Sequence, residues 1–223
     1  MLLLADLLAR AAELGGLQVL TSAVFPGDPP AQQAYAERSA ELLGIHPPTA
    51  RASSAAAAAV LGGPADVHIA GPGGADDHLR GVVTVVGPVR EPMAGSGADD
   101  HVPADATRAA GDLLAVRLVL MSHPHDQAAD LDDSVLAKAC DVAARWRGQV
   151  AVWAESASRP MPPPVRAALD AAFADVDTPT ALQLLTDLAQ DTGVPDGARF
   201  ETFAFADRVL GLELTREVGR SRG

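Results

Sequence analysis

The pattern of apolar and polar positions changes character halfway along the chain. Residues 2–14, L-L-L-A-D-L-L-A-R-A-A-E-L, set apolar side chains at helical spacing, and Gly15-Gly16 end the run. L-Q-V-L-T-S-A-V-F (17–25) predicts a buried strand, and P-G-D-P-P after it a turn. Residues 31–44 predict a second helix, closed by Gly44 and the Pro47-Pro48 pair, and residues 51–63 a third, ending on Gly62-Gly63. A-D-V-H-I-A (65–70) and G-V-V-T-V-V-G (81–87) predict two more strands. Helices alternating with buried strands predict an α/β part with a parallel or mixed sheet.

Beyond residue 105 the strand signal fades. D-L-L-A-V-R-L-V-L-M-S (112–122) is a helix or a buried run, and Asp132 or Asp133 can cap a long helix over 132–154. The loop S-A-S-R-P-M-P-P-P precedes three further helical stretches, at 164–175, 178–189 and 198–212. Thr178 before Pro179 predicts an N-cap followed by proline at the first helical position. No segment here predicts a strand. The division is an α/β part over 1–105, a helical bundle over 106–215 and a flexible tail over 216–223, with the glycine-rich segment 87–111 as hinge.

Composition narrows the function. The net charge is −12, and Lys138 is the one lysine beside sixteen arginines. An acidic chain gains no counterion-release energy on a phosphate backbone, which argues against nucleic acid as partner. The exceptions to the charge are Arg145 with Arg147 and the tail arginines 216, 220 and 222. Cys140 alone excludes an internal disulfide, and its A-K-A-C-D-V-A-A surroundings read as a small apolar helix position rather than a reactive thiol. The apolar start meets Asp6 and Arg10 at once, so no membrane span is expected and a cytoplasmic protein is.

Several clusters carry candidate chemistry. The strand A-D-V-H-I-A runs into G-P-G-G-A-D-D-H, a glycine-rich turn of the kind that lets a backbone approach a nucleotide, with acidic residues that can hold ribose hydroxyls. The alternative is a loop that only turns the chain, with His68 packed in the sheet. His78, Asp76, Asp77, Asp100 and His101 form either a mixed carboxylate–imidazole metal site or solvated loop charge, and the spacing favours the latter. His123 and His125 flank Pro124, facing a cleft or capping a helix end. S-H-P-H-D (122–126) holds serine, histidine and aspartate, but sequence neighbours seldom form a triad.

The order of features resembles one family. V-R-L-V-L-M-S-H-P-H, then A-D-L-D-D-S-V-L-A-K-A, then D-V-D-T-P-T-A-L, then F-A-D-R-V-L-G-L-E-L, resembles the helical domain of cysteinyl-tRNA synthetases and of the mycothiol cysteine ligase, class I enzymes. D-V-D-T-P-T-A-L is the most specific piece. In the first half, G-D-P-P, L-L-G-I-H-P-P-T and A-D-V-H-I-A-G-P-G-G-A-D are similar to the family's turn, helix end and Asp-x-His-Gly-Gly-Gly-x-Asp loop. The resemblance spans about residues 3–214 and implies a truncated Rossmann-like sheet followed by a helical bundle. It implies ATP as cofactor, with Gly73, Gly74 and Asp76 at the adenosine and His68 beside the substrate pocket.

The departures from the family are as informative. There is no His-x-Gly-His, the signature that holds ATP phosphates at a helix N-terminus. The loop that in the family reads Lys-Met-Ser-Lys-Ser is here Pro92-Met93-Ala94-Gly95-Ser96, keeping Met93 and Ser96 without a lysine. The first half has no cysteine for the family's zinc site, so no zinc is expected. The expectation is a short paralogue with a degenerate catalytic site and no assigned catalytic or metal-binding residue. It would bind a protein partner or a small adenylate-like ligand. The alternatives are an active ATP-dependent cysteine ligase and a structural subunit acting through its helices. The chain ends after the helical part, which makes tRNA an unexpected acceptor.

Overall fold

The computed structural model describes residues 1–24, 30–51, 53–71, 81–90 and 113–220. Eight helices and six short strands are found among them. The chain divides into two units: Met1–Val89 with His125–Ala129, and Arg90–Pro124 with Asp130–Gly223.

The first unit mixes helices with parallel strand pairs. Helix α1 (Leu2–Leu14), α2 (Pro30–Leu42) and α3 (Ser54–Leu61) all end the same way. An amide one residue past a left-handed glycine reaches back over the last turn: Leu17 to the Ala12 carbonyl, Ile45 to Ala40 and Gly63 to Ala58, at 2.8–3.0 Å. The glycines inside these closures, Gly16, Gly44 and Gly62, have φ of 85°, 66° and 80°, where a side chain would be strained. The sequence-predicted helix ends are therefore set by local backbone chemistry.

Strand β1 (Ser22–Ala23) pairs in parallel with β2 (Ala50–Arg51), flanked by the reciprocal Thr21 and Thr49 amide-to-hydroxyl bonds of 3.1 Å. Strand β3 (Val67–Ala70) pairs in parallel with β4 (Val82–Val85), with His68 opposite Val83. Parallel neighbours require a crossover, and between β1 and β2 the chain passes through α2. The long buried strand expected over 17–25 is corrected: of the described residues 17–24 only Ser22 and Ala23 are extended in a ladder, while Leu17 and Leu20 are 66% and 50% exposed. An apolar run becomes a buried strand only where neighbours cover it, and here the ladder is two residues long. Buried side chains of this unit, among the described residues, are Leu4, Asp6, Leu7 and Ala129.

The second unit holds the main core. Helix α4 (Leu114–Met121) packs on α5 (Asp133–Trp153), and α6 (Pro163–Ala174), α7 (Thr178–Gln190) and α8 (Asp196–Leu210) complete it through α6–α7, α7–α8 and α5–α8 contacts. Helix α5 buries Ala139, Ala143, Trp146, Arg147, Val150 and Trp153, one stripe of a 3.6-residue period. Phe203 of α8 meets Trp146 and Trp153 edge-on, with ring centroids 5.6 and 5.2 Å away. Such pairs add about 1 kcal/mol beyond their buried area.

Of the two aspartates expected to cap α5, Asp132 does so, accepting from the amides of Ser134 and Val135 at 2.9 Å. The start of α7 and a strand in the late half are corrected. Helix α7 is capped by Asp177, whose carboxylate accepts from the Thr180 amide at 3.1 Å. Thr178 is inside the helix, buried, and donates its hydroxyl to the Met121 carbonyl at 2.8 Å. Aspartate is at least as good a cap as threonine, which frees Thr178 for that longer-range bond. Beyond residue 105, where no strand is expected, β6 (Ala129–Asp130) is extended and pairs with β5 (Val89–Arg90). Ala and Asp are both depleted in strands, so only tertiary pairing makes β6 extended.

Candidate functional site

The chemistry of open α/β sheets concentrates where chain leaves the carboxyl ends of parallel strands. In the first unit that place is the end of the β3–β4 pair. Four registered pairs run from Val67–Val82 to Ala70–Val85, so both strands finish at the same edge. The Val86 amide continues the ladder by donating to the Ala70 carbonyl at 2.9 Å. The chain then leaves β3 at Gly71, beside the Met1 thioether, which a Cβ at Gly71 would meet at 3.5 Å.

A further segment closes on this edge. The Gly87 amide donates to the His125 carbonyl at 2.9 Å, and the Ala129 amide donates to the Pro88 carbonyl at 3.1 Å. Gly87 lies so close to the backbone of Asp126 and Gln127 that any Cβ there would collide with the Gln127 carbonyl. Residues 125–129 therefore strap the α/β unit, although they follow α4 in sequence.

The expected site residues fall unevenly on this geometry. His68 is on β3, half-buried and already engaged with a neighbour. Gly73, Gly74, Asp76, Met93 and Ser96 lie outside the described residues, as do His78, Asp100 and His101. Of the His123–His125 pair, His123 caps a helix end, its Nδ1 2.9 Å from the Val119 carbonyl, while His125 belongs to the strap. S-H-P-H-D thus divides between the two units. Among the described residues no three His, Cys, Asp or Glu side chains gather as a metal-holding group. Cys140 is half-buried on α5, where burial and then the Asp141 carboxylate push its thiol pKa up, away from the reactive thiolate.

Two polar arrangements were not legible in sequence. Asp6, buried on α1, accepts from Arg10 Nε at 2.8 Å and from the His46 amide at 3.0 Å, and Arg10 reaches the Gly44 carbonyl at 2.9 Å. This pins the end of α2 to α1. In the second unit Arg117 donates to the Leu210 carbonyl and Arg147 to the Leu212 carbonyl, both at 2.6 Å. Asp207 accepts from the Leu212 and Leu214 amides at 2.7 and 2.8 Å. Two arginines and an aspartate thereby satisfy the backbone where α8 ends. Burial first, then Arg216, lowers the Arg147 pKa, yet a guanidinium stays charged. Of the short cationic run Arg145 and Arg147, Arg147 is buried in the core of the second unit.

Arg216 and Arg220 lie within ion-pair distance of Glu213 and Glu217. No helix among the described residues is long and apolar enough to cross a membrane. No protein-family model matches the chain, and no curated protein sequence matches it significantly.

Proposed function

We propose that this chain is a non-catalytic relative of the cysteinyl-tRNA synthetase and mycothiol ligase family, which binds a small adenylate-like ligand or a protein partner. The observation that carries the reading is the parallel β3–β4 pair with its carboxyl edge at Gly71, because the Gly73-Gly74-x-Asp76 stretch follows directly in the chain. In a Rossmann-like sheet that is where a nucleotide is held, with backbone amides toward phosphate and a carboxylate toward ribose. The parallel pairs support such a sheet, and the packing of α4 to α8 supports a helical bundle after it.

Loss of catalysis rests on the interior of the sequence. Pro92-Met93-Ala94-Gly95-Ser96 offers no ammonium group to a pyrophosphate leaving group, and Lys138 is on α5. The first half offers no thiolate for a cysteine-selecting zinc. Isothermal calorimetry with ATP and with a sulfamoyl analogue of cysteinyl-adenylate tests the ligand reading. Binding should occur and should weaken about tenfold in Asp76→Ala, the scale of one lost charge-assisted hydrogen bond. If the wild type binds neither compound, the reading fails and the structural-subunit reading takes its place.

A second reading, an active ATP-dependent aminoacyl ligase, draws on the retained Gly-Gly-x-Asp loop and the length of the resemblance. Cysteine-dependent exchange of pyrophosphate into ATP separates the two. The non-catalytic reading expects none, and exchange above a blank would replace it with the ligase.

A further inference from the structure

The loop between α5 and α6, residues 154–162, is held against α8. Gly197 lies so close to it that a Cβ there would collide with the Ala157 carbonyl and meet the Arg159 amide at 3.1 Å. Next along the loop, the Ser158 hydroxyl donates to Glu201 Oε1 at 2.6 Å. Prolines 160, 162, 163 and 164 fix φ through the rest of the loop and the start of α6. Between this loop, α6 and α8 lies an open groove of about 620 Å³, lined by Ser158, Arg159, Pro160, Met161, Pro163, Arg166 and Glu201. All of these residues belong to the second unit.

The polar groups of the groove divide into committed and available ones. Arg166 holds its guanidinium 4.0 Å over the Phe205 ring, and its Nε donates to both carboxylate oxygens of Asp170, at 2.9 and 2.8 Å. A guanidinium stacked on a ring and pinned at Nε keeps its Nη donors for another group. Arg159 is exposed and forms no ion pair among the described residues. Pro160 and Pro163 have no N–H to give, and the Ser158 hydroxyl is taken by Glu201. The side-chain donors left in the groove are therefore the two guanidiniums. Glu201 keeps its second oxygen as an acceptor, and Met161 with the proline rings supplies apolar wall. Two arginines against one glutamate reverse, locally, the sign of a chain whose net charge is −12.

We propose that this groove binds an extended acidic peptide segment of a partner protein. A carboxylate of the segment takes the Arg159 and Arg166 guanidiniums, and Glu201 accepts a peptide N–H. In an extended chain residues i and i+2 point the same way, so an apolar side chain two positions from the carboxylate lies on Met161 and the prolines. An open groove lets a chain pass through, where an enclosed cavity would suit a small molecule. The loop is anchored at Gly197 and Glu201 and stiffened by proline, so little ordering entropy is lost on its side. This goes beyond the adenylate reading, which concerns the first unit, and either can fail alone.

The test is an amide NMR titration of the full chain with a blocked peptide, Ser-Glu-Ser-Leu-Ser, and with its counterpart carrying lysine for glutamate. The glutamate peptide should shift the amides of Ser158, Arg159, Met161 and Glu201. It should bind at least about tenfold more tightly than the lysine peptide, the scale of one charge-assisted pair. Arg159→Ala should weaken it about tenfold and leave Tm unchanged, because the side chain is exposed. Arg159→Glu should turn the preference towards the lysine peptide, a reversal that a folding defect cannot produce. Equal affinity for the two peptides, no shift at these amides at millimolar peptide, or an unchanged affinity in Arg159→Ala would each overturn the proposal. Succinate shifting the same amides as tightly as the glutamate peptide would overturn it in favour of a small-carboxylate site.

Discussion

The Thr178 hydroxyl donates to the Met121 carbonyl across 57 positions of sequence, at 2.8 Å and out of solvent. It ties the start of α7 to the last residue of α4, whose own carbonyl has no further helical turn to bond. Thr178→Val keeps the shape, removes the donor and leaves that carbonyl unpaired. We expect a loss of roughly 1–2 kcal/mol in urea unfolding. An unchanged midpoint would show that another donor satisfies Met121.

Two residues earlier, Val176 has φ of +52°, a left-handed conformation that a β-branched side chain adopts only under strain. The turn keeps it because the amides on either side are committed, Asp177 to the Ala172 carbonyl and Val176 to Phe173. Asparagine tolerates this conformation. Val176→Asn should therefore raise stability by about 1 kcal/mol, seen as a higher Tm. A fall in Tm would mean that the half-buried valine contributes more by packing than it costs by strain.

Arg117 is fully buried and donates through Nε to the carbonyl of Leu210, the last residue of α8. Arg117→Met matches its length and removes the cost of burying a charge, but strands that carbonyl in the core. The two effects oppose each other, and the orphaned carbonyl should win by roughly 2 kcal/mol in denaturant unfolding. A neutral or stabilising result would show that desolvation of the guanidinium outweighs its hydrogen bonds.

The α5 cap gives a pH signature. The Ser134 hydroxyl foremost, then the Val135 amide, hold the Asp132 carboxyl below its ordinary pKa. A depressed carboxylate stabilises the fold above its unfolded pKa, about 4, and that stabilisation is lost as pH falls through the folded value. Asp132→Ala should thus be less stable than wild type at neutral pH, with the gap in urea midpoints closing in acid. A gap that persists undiminished to about pH 2 would assign the loss to helix propensity instead.

Gly87→Ala tests the strap. The new methyl cannot fit against the Gln127 carbonyl, so residues 125–129 must move off the strand edge. The Ala129 amide, now bonded to Pro88, should exchange with solvent at least about tenfold faster. Retained protection would show that the strap yields without detaching.

Helix periodicity and glycine punctuation were enough to locate α1, α2 and α3 and the late helices, because those signals act within one turn of chain. Gly16, Gly44 and Gly62 end their helices through bonds to carbonyls five or fewer residues back. Strand length was not legible. The run 17–25 is apolar enough for a buried strand, but of its described residues only two found a ladder partner, and pairing is decided by distant chain. For the site, sequence selected His68 and the glycine-rich turn and left His125 between a cleft and a helix end. It could not show that residues 125–129 return to Gly87, since nothing local marks that contact. By itself, then, the sequence determined where helices begin and end and which residue types are available. The tertiary structure decided which strands pair, that Thr178 rather than a cap position holds α4, and that a segment after α4 closes the α/β edge. Each of these depends on groups brought together from positions far apart in the chain, with no local signature.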